Sequence, residues 1–278
     1  MPATRSGVAR QHLDYTLTSR EDLGAGYHVL RFSGEQPLNA KPGQFAMVRM
    51  HDWGQQPLLP RPMSILGGGA EPSILVRVVG EGTARMAEAG EGERFALNAP
   101  LGHPWKLPPP DHQPIVVAGG CGVAPLVFLA DKLTTDGYRA DGPKPQVLAF
   151  YGGRTDQDLP LAERLGQSSQ LQIATEDGSR GVKGLVTKPL AAKLEELVAA
   201  GTKVKLYACG PHAMMGAVAK LAQEHCAPCE ASLEAAMGCG IGVCLGCAIT
   251  RTRGGYLYTC VDGPCVDAAT VAWDERVF

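Results

Sequence analysis

The residues with the clearest chemical potential in this chain are four cysteines: Cys239, Cys244, Cys247 and Cys260. They are spaced as C-x4-C-x2-C, and the fourth follows after a gap of twelve residues. This is the ligand spacing of a plant-type 2Fe–2S cluster. Glycines crowd the same loop, and glycine lets backbone N–H groups approach the sulfides at unusual φ values. The spacing therefore predicts a carrier of single electrons.

Two other uses of the four cysteines remain open on spacing alone. Zinc also accepts four thiolates, although structural zinc sites usually show two short pairs of ligands. Disulfides are disfavoured because nine cysteines is an odd number and because residues 1–11 are polar, without the apolar segment of a secretory signal. Intracellular compartments keep thiols reduced. We therefore expect a cytoplasmic protein with a metal cluster.

Length and composition describe an ordinary globular protein. The 278 residues suffice for two domains and a small module. The chain is 45% hydrophobic and 19% charged, and its formal net charge is −2, which gives no reason to expect nucleic acid as a partner. Since no apolar run reaches 18 residues, we expect no membrane span.

The elements that must position the cysteines fall into two patterns. Residues 1–108 contain short alternating strands broken by Gly and Pro, which predicts a small antiparallel β-barrel. Prolines at 108–110 then interrupt regular structure. Residues 111–225 alternate apolar strands with helices, which predicts a parallel α/β sheet. Residues 226–278 form the predicted cluster module.

Residues of the first half could hold a flavin dinucleotide. Arg61 can pair with phosphate, Ser64 can hydrogen-bond the flavin edge, and Gly82 and Thr83 can present N–H groups at a helix start. Each signal is weak alone, because an Arg before Pro is commonly a solvated charge and a G-x-G-T sequence is commonly a turn. Their order, ahead of a nucleotide fold, strengthens them.

Two turns of the second half follow strands, where parallel sheets bind ligands. The first holds Gly119, Gly120 and Gly122, and the helix after it offers N–H groups and a positive dipole to a pyrophosphate. The second holds Cys209, Gly210 and Pro211. The first turn is not a G-x-G-x-x-G fingerprint, so a tight turn that needs glycine for packing remains open.

Taken together, these motifs resemble the ferredoxin–NADP reductase superfamily. The cluster segment narrows the resemblance to the iron–sulfur flavoprotein subunits of NAD-dependent dihydroorotate dehydrogenases, the electron-transfer subunits of pyrimidine synthesis. The resemblance implies bound FAD, with NAD(H) as co-substrate, and it covers nearly the whole chain. It implies FAD contacts at Arg61, Pro62, Met63, Ser64, Leu75, Val76, Arg77, Gly82 and Thr83. The wider superfamily has Tyr where this chain has Met63, so an aromatic stack on the flavin from that position is in doubt.

For the nucleotide, the resemblance implies the two turns. It places Cys209 near the nicotinamide, although a small buried thiol is an equal interpretation. NAD and NADP remain open; Asp156 and Asp158 beside Arg154 favour NAD, because a 2′-phosphate needs clustered cations. Nicotinamide gives electrons in pairs and the cluster takes them singly, so the flavin lies between them.

No residue of this chain stands out as a catalytic base for dihydroorotate. The resemblance assigns that chemistry to a separate FMN-containing subunit, in a heterotetramer of two plus two chains. A diaphorase-type subunit of a hydrogenase or ferredoxin-coupled reductase is one rival, and a non-enzymatic redox sensor is another. Among the remaining cysteines, Cys226 and Cys229 favour burial over a redox role, and Cys260 fits the fourth ligand position better than Cys265.

Overall fold

The computed structural model describes residues 11–135 and 144–275. It places them in a closed antiparallel barrel, a seven-stranded sheet and a two-stranded hairpin. The antiparallel barrel and the parallel α/β sheet that the sequence predicts are therefore confirmed. No helix within these two ranges is both long enough and apolar enough to cross a membrane.

Six strands close the barrel in the order β1-β2-β5-β4-β3-β6. Alternate side chains point inward, so residues such as Phe32, Val76 and Phe95 are fully buried in its core. Helix α1 (Glu81–Glu88) follows β5 and adds Met86 to the same core. The strands are β1 Gln11–Asp22, β2 Tyr27–Gly34, β3 Phe45–Met50, β4 Arg61–Gly67, β5 Ser73–Arg77 and β6 Arg94–Leu101.

The segment from Arg61 to Ser64 lies within strand β4. Pro62 is tolerated there because β5 pairs with β4 only from Ile65 onward, so the strand has one neighbour at the proline. Strand β5 ends at Arg77, which pairs with Tyr27, the first residue of its partner β2.

The second sheet has the order β10-β9-β8-β7-β11-β12-β15, and all its pairs are parallel except the last. Helices on both faces leave its central strands as continuous apolar runs. Its strands are β7 His112–Gly119, β8 Leu148–Gly153, β9 Gln170–Thr175, β10 Val182–Lys183, β11 Lys203–Cys209, β12 Cys229–Ser232 and β15 Cys265–Asp267. Its helices are α2 Val123–Thr134, α3 Ala162–Gln167, α4 Thr187–Ala199 and α5 His212–Glu224.

The C-terminal segment leaves this sheet after β12 and returns to it as β15. Between them lie the cysteine loop, a hairpin of β13 (Ala248–Thr250) and β14 (Tyr256–Tyr258), and the short helix α6 (Thr259–Asp262). The expected boundary at residue 226 therefore falls before two strands that complete the sheet. We propose that the cluster module is an excursion between β12 and β15.

A buried ion pair holds the end of the barrel against the sheet. Lys205 of β11 and Glu230 of β12 lie 3.1 Å apart, and each side chain is only 8% exposed. The Lys205 Nζ and the Tyr207 hydroxyl donate to the carbonyl of Lys106, whose N–H donates to Glu230. Trp105 packs edge-on against Tyr207. The two parts of the chain are thus joined by a fixed contact.

Candidate functional site

The four cysteine sulfurs of the loop fall into two pairs. Sγ of Cys247 and Sγ of Cys260 lie 3.2 Å apart in a buried setting. Cys239 and Cys244 form the second pair: the Cys244 thiol interacts with the Cys239 sulfur, and the N–H of Cys244 donates to that sulfur over 3.4 Å. Two pairs of thiolates suit a centre with two metal ions, each taking two ligands.

Backbone N–H groups prepare one of these sulfurs for a charge. Cys239 Sγ accepts from the N–H groups of Ile241, Val243 and Cys244, each over 3.4 Å. Burial opposes ionisation of this thiol, but the N–H donors outweigh it and lower its pKa to about 6. Burial, and then the neighbouring Cys247, raises the pKa of Cys260 to about 12. A metal would have to bind Cys260 for that sulfur to ionise.

The glycines of the loop fit it tightly to the barrel. Gly240 has a φ of +68°, and a Cβ there would collide with the side chain of Met47. A Cβ on Gly242 would collide with Val261 in α6. The loop therefore needs these glycines both for its turn and for its close approach.

The donor set and the N–H groups fit an iron–sulfur cluster with two irons. Among the residues the structure describes, no group of three His, Cys, Asp or Glu side chains is arranged to hold a metal ion. The pairing of the sulfurs and the N–H donors to Cys239 are the features that fit two irons.

The other C-terminal cysteines lie apart from this loop. Cys265 is buried in β15, and its thiol faces the carbonyl of Gly43 over 3.5 Å. Its position supports Cys260 as the fourth ligand. Cys229 is buried as expected, but Cys226 is exposed, so burial does not describe both members of that pair. The chain turns outward at Cys226, where φ is +53°.

Among the predicted flavin residues, Arg61 and Gly82 lie next to each other. Arg61 reaches the start of α1, where a Cβ on Gly82 would lie 2.7 Å from its Nε. The Arg61 guanidinium stacks over Trp53 and donates to the carbonyl of Leu59. A cation beside the free N–H groups of a helix start forms a cradle for a pyrophosphate. These residues therefore fit an FAD phosphate group.

Individual side chains of the flavin set play unequal parts. The Thr83 hydroxyl is engaged with Val79 and Gly80, so it shapes the turn and leaves only its backbone N–H for a ligand. Met63 packs against the barrel core, which agrees with the doubt about an aromatic stack there. By strand alternation, Pro62 and Ser64 point outward. Leu75 and Val76 are both buried, and Val76 lies within the barrel core.

The two turns of the nucleotide part pack directly on each other. A Cβ on Gly122 would collide with the backbone of Cys209, and a Cβ on Gly119 would lie 2.7 Å from Pro211. Gly210 passes equally close to Gly119. Gly122 is therefore needed for the close packing of the two turns. Gly119, Gly120 and Pro211, in contrast, also line a cavity.

This cavity has a volume of about 410 Å³ and lies at the carboxyl ends of the parallel strands. Its walls come from the first turn, from the ends of β8 and β9, from the start of α4 and from α5. The size and place are those of a nucleotide site in an open α/β sheet. Its charged lining residues are Arg77, Arg154, Asp158 and Glu176.

Nearby cations are already paired with acids. Arg154 binds Asp158 through two nitrogens, over 3.0 and 3.3 Å. Arg180 is paired with Asp156 and Glu163. A 2′-phosphate would have to compete with these carboxylates, which favours NAD over NADP.

The cysteines of the two turns are neutral thiols. Burial raises the pKa of Cys121 to about 12 and raises the pKa of Cys209 still further. Cys209 does not line the cavity, and its thiol faces Ser232 within the protein. Neither thiol is prepared to act as a nucleophile.

The cluster loop and the flavin strand are brought together by a small apolar core. Cys247 and Cys260 pack there with Phe45, Met47 and Leu101 of the barrel. Phe45 and Met47 lie on β3, opposite Ser64 and Pro62 of β4. One strand therefore separates the buried cysteine pair from the predicted flavin motif.

Some lining residues of the cavity were missed from the sequence. Glu176 and Met214 were not proposed as nucleotide residues, Asp158 was used only as a sign of NAD specificity, and Arg77 was assigned to the flavin alone. Glu176 directly follows strand β9, so the rule that ligands bind beyond strand ends would have found it. Arg77 carries no such signal, because it belongs to the barrel.

Two family models match the chain. The iron–sulfur cluster binding domain of dihydroorotate dehydrogenase B matches residues 234–272, and the oxidoreductase NAD-binding domain matches residues 116–220. The first range contains all four cysteines of the loop. The second contains the first turn and the second turn.

Curated relatives agree with these models. A dihydroorotate dehydrogenase B (NAD(+)) electron transfer subunit of Desulforamulus reducens is 35% identical, over 84% of this chain and 88% of the relative. A probable subunit of the same name from Methanopyrus kandleri is 36% identical, over 90% of this chain and 85% of the relative. Among solved structures, a chain of an NADH-dependent reduced ferredoxin-NADP oxidoreductase has a TM-score of 0.77 at 25% identity, covering 96% of this chain and 91% of that chain.

Proposed function

The chain belongs to the family of electron transfer subunits of NAD(+)-dependent dihydroorotate dehydrogenase B, and we propose that its three sites act as one path between a catalytic partner and NAD. It is an oxidoreductase subunit that uses FAD and a 2Fe–2S cluster in pyrimidine biosynthesis. Electrons taken from dihydroorotate by the partner enter at the cluster and leave as NADH.

The observation that carries this proposal is the shared core of cysteines and barrel. Cys247 and Cys260 pack on Phe45 and Met47, whose strand is hydrogen-bonded to the strand of Ser64. The buried cysteine pair is thus held in a fixed position relative to the flavin strand β4 through β3. FAD would supply the change between single electrons and hydride when bound.

The residues of the chain have distinct parts in this path. We propose Cys239, Cys244, Cys247 and Cys260 as the cluster ligands. Arg61 and the N-terminus of α1 at Gly82 bind the FAD pyrophosphate, and the outward face of β4 at Ser64 lies along the flavin. Gly119 and Gly120 present the turn to the NAD pyrophosphate, while Cys209 and Gly122 fix that turn from beneath.

The exposed part of the cluster loop is the proposed docking surface for the catalytic subunit. Val243 is 75% exposed and Leu245 is 52% exposed, beside the more accessible cysteine pair. Exposed apolar side chains around a redox centre suit a partner that must approach it closely. The relatives are named as electron transfer subunits, which supports a catalytic partner. From the family resemblance we further propose that this partner carries FMN and that two chains of each kind assemble.

The test is reconstitution with a catalytic subunit from a relative. We expect the two chains to co-purify and together to convert dihydroorotate and NAD(+) into orotate and NADH. The purified chain alone should oxidise NADH with artificial acceptors but should leave dihydroorotate unchanged. Robust dihydroorotate oxidation by the single chain would contradict the proposal.

A ferredoxin-coupled reductase is the second candidate, because the NADH-dependent reduced ferredoxin-NADP oxidoreductase chain matches over 96% of this chain. The curated relatives outweigh it, since they are 35% and 36% identical. Rapid reduction of ferredoxin by NADH, together with no binding of the catalytic subunit, would favour this second candidate.

A further inference from the structure

Residues 102–106, which we call the connector, lead from strand β6 of the barrel toward strand β7 of the sheet. The N–H of Lys106 donates to Glu230 Oε2 over 3.0 Å. The carbonyl of Lys106 accepts from Lys205 Nζ over 2.7 Å and from the Tyr207 hydroxyl over 2.8 Å. Both polar backbone groups at the end of the connector are therefore held by side chains of strands β11 and β12.

The two charged groups that hold Lys106 form a buried ion pair. Lys205 Nζ lies 3.1 Å from Glu230 Oε1, and each side chain is 8% exposed. On the same strand, Lys203 and Asp111 form a pair at 2.7 Å, but their side chains are 65% and 57% exposed. Burial of two charges costs free energy that their attraction barely offsets, so a buried ion pair gives little net stability. The place of this pair is better explained by the backbone that it holds.

The rest of the connector is bound to the other two parts of the chain. The N–H of Trp105 donates to the carbonyl of Pro42, in the barrel loop before β3, over 3.0 Å. The N–H of His103 donates to the carbonyl of Gly263, just after α6, over 2.6 Å. The connector is thus hydrogen-bonded to the barrel, to the cluster module and to the sheet, so a displacement at its end changes how these parts face one another.

We propose that Lys205 and Glu230 are positioning residues for hydride transfer between NADH and FAD. By holding Lys106, they fix the angle at which the flavin strand β4 and the nucleotide cavity face each other. In this step one C–H bond of NADH breaks and its hydrogen passes to FAD with both bonding electrons, which leaves NAD(+) and reduced FAD. The proposal rests on the proposed function, because it assumes FAD on the barrel and NAD(H) in the cavity.

The place of the ion pair decides which measurement it should change. Neither side chain lines the nucleotide cavity, and neither belongs to the predicted flavin set. The affinity for NADH and the FAD content should therefore be independent of the pair. Hydride transfer is instead sensitive to distance, since a displacement of about 1 Å can lower a rate about 100-fold.

The test replaces both charges in one chain, as Lys205→Met with Glu230→Met. The two methionines have similar length and leave no charge buried alone, and such exchanges of a buried pair are commonly tolerated. Stopped-flow mixing with NADH gives the limiting rate of FAD reduction and the NADH dissociation constant separately. We expect the limiting rate to fall at least about 10-fold, while the dissociation constant and the FAD and iron per chain stay unchanged.

Two further readouts do not depend on turnover. The long-wavelength charge-transfer absorbance of the nicotinamide–flavin pair should weaken in the double variant, because the two rings no longer meet at the same angle. Hydrogen exchange of a peptide that spans the connector should quicken, because the N–H of Lys106 loses its acceptor in Glu230.

Matched variants separate positioning from other effects. Lys203→Met with Asp111→Asn removes the exposed pair at the start of the same strand and should leave every readout unchanged. Tyr207→Phe removes one donor to Lys106 but keeps both charges and the ring that packs edge-on against Trp105. This variant should slow the limiting rate less than the double variant does, at unchanged NADH affinity.

The outcomes separate this inference from the proposed function. An unchanged limiting rate in the double variant would overturn the inference, because the pair would then serve stability alone. A limiting rate that falls together with NADH affinity or FAD content would also overturn it, since the damage would then lie in a binding site. If the double variant does not fold, an unchanged limiting rate in Tyr207→Phe would overturn the inference. An unaltered chain whose FAD is not reduced by NADH would instead defeat the proposed function.

Discussion

The cluster loop and the nucleotide cavity assemble their binding groups in opposite ways. The loop takes four side chains from one short stretch of chain, and their spacing alone indicates what they bind. The cavity combines backbone turns with charged side chains that are far apart in sequence, including Arg77 of the barrel. A local site is therefore readable from residue types, whereas a distributed site depends on the fold.

The two regions also differ in what supports them. The buried cysteine pair rests on barrel residues Phe45 and Met47. The cavity rests on the contact of two turns, at Gly122 and Cys209. Because the cluster loop and the nucleotide cavity are supported by different contacts, a change in one should leave the function of the other intact.

The largest expected effect is the loss of a cluster ligand. For Cys260→Ala we expect iron per chain to fall at least about 10-fold, since even outer-shell changes at metal sites cost that much. Reduction of FAD by NADH should continue. Iron analysis and the visible spectrum provide the measurement, and Cys226→Ser, at an exposed cysteine outside the loop, is the control. A full cluster spectrum in Cys260→Ala would show that another residue is the ligand.

The converse change acts on the contact of the two turns. In Gly122→Ala the new methyl group meets the backbone of Cys209, which cannot move aside as a side chain could. We expect a loss of about 1–3 kcal/mol in the free energy of unfolding, as for other overpacked sites. NADH reduction of FAD should slow, and the cluster spectrum should persist.

Gly166→Ala is the control for that variant. Its Cβ would lie 3.6 Å from Leu171, an ordinary contact, and alanine favours the helix by about 1 kcal/mol. Urea unfolding followed by circular dichroism compares the two variants. Equal stability of Gly122→Ala and Gly166→Ala would contradict the role given to the turn contact.

A smaller effect is expected where the loop meets the barrel. Gly240→Ala introduces a methyl group against Met47 at a positive φ, so the loop should shift while its cysteines still bind iron. The rate of electron transfer from NADH to cytochrome c should fall several-fold, whereas the rate of electron transfer from NADH to ferricyanide should not change. Gly254→Ala imposes a similar φ of +80° with no atom within 4 Å, so it isolates backbone strain. An equal effect of the two variants would exclude the contact with Met47 as the cause.

The smallest effect concerns thiol reactivity in the cavity wall. The pKa of Cys121 is raised to about 12 and that of Cys209 is raised further, so both are neutral at pH 8. Iodoacetamide at pH 8 should label the exposed Cys226 and leave these two unmodified, because only the thiolate reacts. Peptide mass spectrometry reports the sites, and rapid labelling of Cys121 at pH 8 would contradict the assignment.

The sequence predicted the order of barrel, parallel sheet and cluster loop because each has its own periodicity or spacing. It could not predict that β15 returns to the sheet, since a strand of three residues carries too little pattern. The expected boundary at residue 226 was therefore placed before the sheet was complete.

The site shows the same limit. The cysteine ligands could be proposed from their spacing, but the place of Arg77 in the cavity wall depends on which face of β5 meets the sheet. That choice follows from the packing of Leu75 and Tyr27 against β7 and α2. Such tertiary contacts have no local signature in the sequence.

The most direct test of the account follows electrons through one purified chain. The FAD- and iron-loaded protein is reduced with dithionite, freed of excess reductant and mixed with NAD(+). A fully reduced chain holds three electrons, two on FAD and one on the cluster, whereas NAD(+) takes electrons in pairs. With a mediator that lets chains exchange electrons, we therefore predict a reoxidised cluster and about 1.5 NADH per chain, whereas Cys260→Ala should form about 1. A cluster that stays reduced in the presence of NAD(+), or zinc in place of iron in the isolated chain, would contradict the account.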